Sequence, residues 1–140
     1  LMVCLMIEAK AFEAYIEDDK AKARSIIDNT KMIMQRFSTA RNINLMLCRH
    51  TGHMVFVASL VYDWLYSYLS ADEKEFFISQ SEMFLKAGME VGYPPTRQRD
   101  IHSHAHEAQF LRDMLAFSIT LFLCTIIYSI NKTRGIMYSK

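Results

Sequence analysis

The stretch Leu60–Phe77, LVYDWLYSYLSADEKEFF, decides the fold because it contains the end of one helix and the start of the next. Its first half continues an apolar run from Met54, and a run without a polar face is typical of a helix packed on several sides. In its second half, Ser70 and Glu73 have the spacing of a capping box, in which each side chain accepts a hydrogen bond from the other residue's amide. We therefore expect one helix to run to Leu69 and another to begin directly after Ser70.

Helical periodicity extends outward from this stretch in both directions. We expect helices at Leu1–Ile16 and Lys20–Phe37, with Asp18 or Asp19 as the N-cap between them, and the helix after the capping box should stop at Gly92 before a Pro-Pro loop. The side chains that helical spacing assigns to the apolar stripes are Leu5, Phe12, Tyr15, Ile16, Ile26, Ile27, Thr30, Ile33, Met34, Phe37, Phe76, Phe77, Met83, Phe84 and Ala87.

Composition favours an all-α domain built from antiparallel helical hairpins. The chain of 140 residues is 51% apolar and has only four glycines and two prolines, which fits a packed helical protein. Its 16 basic and 15 acidic residues are mixed along the chain, without the basic stripe that nucleic-acid binding requires, so nucleic acid is not an expected partner. The three cysteines lack CxxC spacing and are expected to be buried thiols.

The first residues, LMVCLMIEAKAF, lack an initiator Met and a basic region before the apolar one, so no signal peptide is predicted. An apolar turn without a cap residue is a poor helix start, and we expect Leu1 to lie within a helix of a longer parent sequence.

Candidate catalytic residues are concentrated in the stretch Asp100–Leu115, DIHSHAHEAQFLRDML. His104 and Glu107 are three residues apart, so they share a face if the helix has begun there. An imidazole beside a carboxyl group can exchange protons near neutral pH. The alternative is a solvated first helical turn, in which the helix dipole favours the glutamate.

Neighbouring residues are candidates for binding an acidic ligand. His102 and His106 flank the pair, and Arg97 and Arg99 could make bidentate contacts with carboxylate or sulfate groups. Solvated loop or helix positions are the default interpretation for all four. The alternating histidines also allow a zinc site, but alternation suits a strand and this segment enters a helix, so no metal is predicted. Arg112 and Asp113 are adjacent, and we expect each to need a partner on another helix.

Two blocks together, Leu60–Phe77 and HAHEAQFLRDMLAFSI at His104–Ile119, resemble the N-terminal toroid domain of the heparinase II/III-like polysaccharide lyases. In that family a YDWLY-type helix is followed by a capped helix, a loop and a helix that starts with His-x-x-Glu and continues with LRD. The resemblance covers roughly Lys10 to Ile119. It implies that residues 1–119 are part of an incomplete (α/α) toroid, and residues 120–140 would be a divergent apolar helix with a basic tail.

The resemblance implies β-elimination on uronic-acid-containing glycans, either heparin or heparan-like or alginate-like. His104 would act as base or acid, and a protonated Glu107 would hydrogen-bond the substrate carboxylate. No cofactor is implied, and a family zinc would belong to the β-sandwich domains of a full-length parent. The catalytic tyrosine and second histidine of the family would lie downstream of the His-x-x-Glu motif, and neither is assigned to a residue of this chain. Secretion or a periplasmic location is implied, and we expect little lyase activity from this chain alone.

Two other classes of protein remain open. One is a non-catalytic helical module that binds carbohydrate or another partner. The other is a small membrane-anchored protein, because residues 114–130 carry no charge and are followed by basic residues. A frameshifted gene end or a divergent last helix would explain that segment equally. The polar residues His50 and His53 are expected in a first helical turn. Helical spacing places four aromatic residues in the core, with stacking on a sugar ring as the alternative: Tyr62, Trp64, Tyr66 and Tyr68.

Overall fold

The protein is described by a computed structural model that covers the backbone of residues 2–39, 46–92, 112–124 and 126, and the side chains of residues 2–36, 52–84, 112–124 and 126. The helices are α1 (Met2–Ile16), α2 (Lys20–Thr39), α3 (Met46–Trp64) and α4 (Ala71–Gly92), with a short 3₁₀ helix at Tyr66–Tyr68. Residues 112–124 are also helical and are called segment 112–124. Within the described ranges there is no strand, so the predicted all-α class is confirmed.

The turn between α1 and α2 is fixed by its two aspartates. Asp18 adopts the left-handed conformation, with φ of 52°, which aspartate tolerates better than most residues. The Asp19 Oδ1 atom accepts hydrogen bonds from the amides of Ala21 and Lys22 at 2.9 and 3.0 Å. Asp19 is therefore the N-cap of α2, as the sequence predicts.

The junction between α3 and α4 confirms the capping box and corrects the helix end. The Glu73 amide donates to Ser70 Oγ at 3.3 Å, and the Ser70 amide donates to a Glu73 carboxylate oxygen at 3.0 Å. The expectation that the preceding helix reaches Leu69 is wrong, because α3 ends at Trp64 and the chain tightens into the 3₁₀ turn. This turn buries Leu65 before it and Leu69 after it.

Helices α1 and α3 run side by side in the same direction. Cys4 Sγ, in the first turn of α1, lies 4.0 Å from Met54 Sδ, near the middle of α3. At their ends, the ring of Trp64 lies 5.3 Å from that of Phe12 and 6.5 Å from that of Tyr15. The two helices thus form one layer of the fold.

Helices α2 and α4 form a second layer. Arg24 and Lys31 of α2 both bond to Glu73 at the start of α4, and the Lys31 ammonium lies 5.8 Å above the ring of Phe76 one turn later. Later residues of α2 therefore contact later residues of α4, so the two helices are parallel to each other. Each is antiparallel to the helix that precedes it in the chain.

Segment 112–124 lies beside α3 and follows its direction. The Arg112 guanidinium is 5.3 Å from the ring of Phe56, in the middle of α3. At the other end of the segment, the thiol of Cys124 donates to Asp63 Oδ1 at 3.7 Å, close to the end of α3. The segment extends the layer that contains α1 and α3.

The buried face of α1 is not the one expected from its large apolar residues. Leu5, Phe12, Tyr15 and Ile16 are all at least half exposed. The helix instead buries the small and medium side chains of Cys4, Ile7, Ala11 and Ala14. Because an alanine projects little beyond the backbone, this face lets α2 and α3 approach α1 closely. The expected core residue Met83 of α4 is also exposed, at 41%.

The remaining core follows the predicted stripes where side chains are described. On α2 and α4, Ile27, Thr30, Met34, Phe77 and Phe84 are buried. Over the described ranges no helix is both long and apolar enough to cross a membrane. Of the uncharged run 114–130, the structure describes residues 114–124 and 126.

Candidate functional site

The six residues predicted for catalysis and substrate binding lie outside the described residues, and their assignment stays a prediction. They are Arg97, Arg99, His102, His104, His106 and Glu107. The chain that carries them leaves the described structure at Gly92, the last residue of α4, and re-enters it at Arg112. Because α4 is antiparallel to α3, Gly92 lies toward the start of α3, whereas Arg112 lies beside Phe56, in the middle of α3.

At the start of segment 112–124, Arg112 and Asp113 bond to each other. Nε and one terminal nitrogen of Arg112, Nη2, donate to Asp113 Oδ1 at 2.8 and 2.5 Å. The expectation that each residue needs a partner on another helix is wrong, because the two residues are each other's hydrogen-bond partners. Asp113 is 1% exposed, whereas the Arg112 side chain is 55% exposed. The long arginine side chain can fold back over its buried neighbour, which a count of helical spacing ignores.

The Arg112 guanidinium also packs on an aromatic pair of α3. It lies 5.3 Å from the centroid of the Phe56 ring, and the His53 ring stacks on Phe56 at 6.2 Å with an interplanar angle of 23°. We call His53, Phe56, Arg112 and Asp113 the Arg112 cluster. His53 was expected in a first helical turn, but α3 begins at Met46 and His53 lies two turns inside it.

Two buried polar atoms of the Arg112 cluster have no hydrogen-bond partner among the described residues. They are Nε2 of His53 and Oδ2 of Asp113. An unsatisfied buried carboxylate oxygen is unfavourable, and in native proteins such atoms need a specific explanation, often a functional one. The cluster is therefore more polar than helix packing alone requires.

The chemistry available to the Arg112 cluster is anion binding. Asp113 occupies Nε and Nη2 of the guanidinium, and the other terminal nitrogen, Nη1, makes no hydrogen bond within the described part of the chain. Its two N–H groups can donate to a carboxylate or sulfate. Sequence reasoning missed this site, although His53 and Phe56 at i, i+3 on α3 already indicated a shared helix face.

A second cluster of ionisable groups lies at the other end of segment 112–124. Burial raises the pKa of the Cys124 thiol to about 11, with the neighbouring Asp63 carboxylate adding to the effect. Burial also raises the pKa of Tyr62 to about 12 and lowers that of Lys74. The Lys74 ammonium lies 3.7 Å above the ring of Tyr66. A protonated thiol is a poor nucleophile, so this cluster favours packing rather than catalysis.

The charges around Glu73 are structural. Its carboxylate accepts from Arg24 at 2.5 and 3.2 Å, from Lys31 at 3.1 Å and from the Ser70 amide at 3.0 Å. Burial opposes ionisation of Glu73, but the bonds from Arg24, Ser70 and Lys31 outweigh it and lower the pKa of the carboxyl to about 2. These bonds join α2 to the start of α4.

The aromatic residues proposed as either core or sugar-stacking groups are engaged in packing. Tyr62 is 6% exposed and contacts Phe77 with its ring edge. Trp64 packs on α1, and the Tyr68 hydroxyl donates to the Asp18 carboxylate. Their involvement in packing matches the expectation that they belong to the core.

No group of three His, Cys, Asp or Glu side chains in the described ranges is arranged to hold a metal ion. The histidines of the run 102–106 lie outside those ranges. Comparison of the chain with protein-family models, with curated proteins and with solved structures found no match. The family resemblance of the two sequence blocks remains a prediction.

Proposed function

We propose that this chain is part of the α/α toroid of a polysaccharide lyase that cleaves uronic-acid-containing glycans by β-elimination. His104 and Glu107 are the proposed catalytic residues, and Arg97, Arg99, His102 and His106 are the proposed substrate-binding residues. The observation that carries the proposal is the two-layer arrangement of the helices.

The layer arrangement supports the toroid. When successive helical hairpins pack side by side, each hairpin contributes one helix to each layer, and helices of the same layer run in the same direction. Helices α1 and α3 and segment 112–124 meet this requirement in one layer, and α2 and α4 meet it in the other. The contact between Trp64 and Phe12 and that between Glu73 and Arg24 join one hairpin to the next in the two layers.

The described residues on either side of the connection 93–111 are compatible with a site on the side of the layers away from the hairpin turns. Gly92, the last described residue before the connection, belongs to the end of the fold opposite the two hairpin turns, and Arg112, the first described residue after it, lies beside the middle of α3. Glu107 precedes Arg112 by only five residues. Binding and catalytic residues are often carried by loops that a rigid scaffold positions.

The reaction requires three things that these side chains can supply. The charge of the substrate carboxylate must be dispersed, the C5 proton must be accepted, and the 4-linked oxygen must receive a proton as it leaves. A protonated Glu107 can hydrogen-bond the carboxylate, and His104 can transfer a proton in either direction near neutral pH. Arginines near the site can neutralise the developing negative charge.

The test measures glycan binding, because the resemblance implies that further catalytic groups belong to other parts of the parent. The full chain is titrated calorimetrically with a uronate tetrasaccharide and with the same tetrasaccharide after its carboxylates have been reduced to alcohols. We expect the acidic form to bind more tightly, and His104→Ala or Glu107→Gln to weaken its binding about fivefold or more, as loss of one charge-assisted hydrogen bond would. Glu75→Gln, which alters an exposed carboxylate of α4, is the matched control and should have no effect.

Two outcomes would contradict the proposal. One is that the chain binds the acidic and reduced tetrasaccharides equally or not at all. The other is that the acidic form binds, but with an affinity that neither substitution changes.

A second candidate, a non-catalytic interaction module, is favoured by the exposed apolar face of α1. Met2, Leu5, Met6 and Ile16 are between 52% and 77% exposed on this helix, and an apolar surface of this kind often marks a binding site. This candidate predicts a glycan affinity that is independent of His104 and Glu107, so the same titrations distinguish it.

A further inference from the structure

We propose that Arg112 binds the carboxylate group of the acidic glycan and thereby contributes to the preference for uronates. This inference rests on the proposed function and extends it to a residue that sequence reasoning had assigned to the scaffold.

Asp113 fixes the guanidinium in one orientation. Both hydrogen bonds from Arg112 converge on Oδ1 of this buried carboxylate, at 2.8 Å from Nε and 2.5 Å from Nη2. An arginine held in this way loses little conformational entropy when it binds a ligand, because its side-chain torsions are already restricted. Arg112 is therefore prepared for binding before the ligand arrives.

Exposure separates the two members of the pair. Asp113 is 1% exposed and is sealed in the interior, but the Arg112 side chain is 55% exposed. Solvent therefore reaches the cation of the ion pair, Arg112, and not the buried carboxylate. The two N–H groups of Nη1 have no acceptor within the described part of the chain, and a ligand carboxylate can accept from them.

Phe56 strengthens an interaction at this position. The guanidinium lies 5.3 Å from the ring centroid, so one side of the group faces an apolar surface rather than water. Charge-assisted hydrogen bonds strengthen where water is partly excluded. A uronate carboxylate suits the site, because it is planar like the guanidinium and carries a single charge.

The test is a double-mutant cycle between Arg112 and the ligand carboxylate. The full chain and its Arg112→Gln, Arg112→Lys and Arg36→Gln variants are titrated with the uronate tetrasaccharide and with its carboxyl-reduced form, and the fold of each variant is checked by circular dichroism. Arg112→Gln should weaken binding of the acidic ligand about tenfold or more, and should change the affinity for the reduced ligand less than about twofold. Arg112→Lys, which keeps the charge but not the fork of donors, should lie between wild type and Arg112→Gln.

The control Arg36→Gln removes an exposed arginine of α2, in the other layer, and should leave both affinities unchanged. An equal loss of affinity for both ligands would show that Arg112 has only a structural role, and no loss for either would also overturn the inference. If Arg112→Gln is selective but His104→Ala and Glu107→Gln have no effect, the inference stands and the proposed lyase site fails. The reverse pattern keeps the lyase site and rejects the role of Arg112. Absence of binding by the wild-type chain overturns both.

Discussion

Replacing Glu73 by glutamine should lower the free energy of unfolding by about 2 kcal/mol at pH 7. The carboxyl has a pKa of about 2 in the folded protein in place of an ordinary 4.5, which corresponds to roughly 3 kcal/mol of stabilisation of the charged form. The Arg24 side chain is 40% exposed, so solvent screening reduces this figure. Glutamine can still accept a hydrogen bond from the Ser70 amide, and the substitution therefore removes the charge while keeping the capping box.

The pH dependence follows from the direction of the pKa change. Because the pKa of Glu73 is lower in the folded state than in the unfolded state, its charge stabilises the protein above the unfolded pKa of about 4.5. That contribution is lost as the pH falls from there toward the folded pKa of about 2. The difference in stability between wild type and Glu73→Gln should therefore be constant near neutral pH, shrink below about pH 4.5 and vanish near pH 2.

Urea denaturation followed by circular dichroism at several pH values measures this difference. The matched control is Glu75→Gln, which alters an exposed carboxylate in the same turn of α4 and should change stability by less than about 0.5 kcal/mol. A difference between wild type and Glu73→Gln that stays the same from neutral to acidic pH would refute the electrostatic explanation. A difference no larger than that of the control would refute it as well.

Two further results are expected. Asp19→Ala should cost about 1 kcal/mol in urea denaturation, because the amides of Ala21 and Lys22 lose their acceptor; an unchanged midpoint would show that the cap is dispensable. Native Cys124, with its pKa of about 11, should react with iodoacetamide at pH 8 roughly 100-fold more slowly than in the urea-unfolded chain, where the ordinary value is 9.0. Mass spectrometry of the Cys124 peptide measures both rates, and equal rates would contradict the burial of this thiol.

The parts of the fold that sequence predicted are those set by local chemistry. The capping box at Ser70 and Glu73 and the cap at Asp19 each depend on residues close together in the chain, and the structure has both. The stripe of α2 was also correct, since one face of that helix is clearly polar and the other apolar. Such features can be found from spacing and side-chain chemistry alone.

The errors arise where long-range packing chooses among apolar residues. Helix α1 is apolar on nearly every side, so periodicity cannot identify its buried face, and close approach of neighbouring helices selects Ala11 and Ala14 over Phe12 and Tyr15. The pairing of Arg112 with Asp113 depends on the burial of one partner and on the length of the other. Neither property is visible in the spacing of the two residues.

The hydrogen bond between Tyr68 and Asp18 joins the two hairpin turns, so the turns are held together at one end of the protein. The Arg112 guanidinium lies away from this end, over Phe56 in the middle of α3. A cysteine introduced at the exposed Ser67, beside Tyr68 at this end, would therefore allow the protein to be attached to a sensor surface with Arg112 away from the support. Long polymeric glycans could then reach Arg112 without being blocked by the support, which makes affinity measurements on intact polysaccharide feasible.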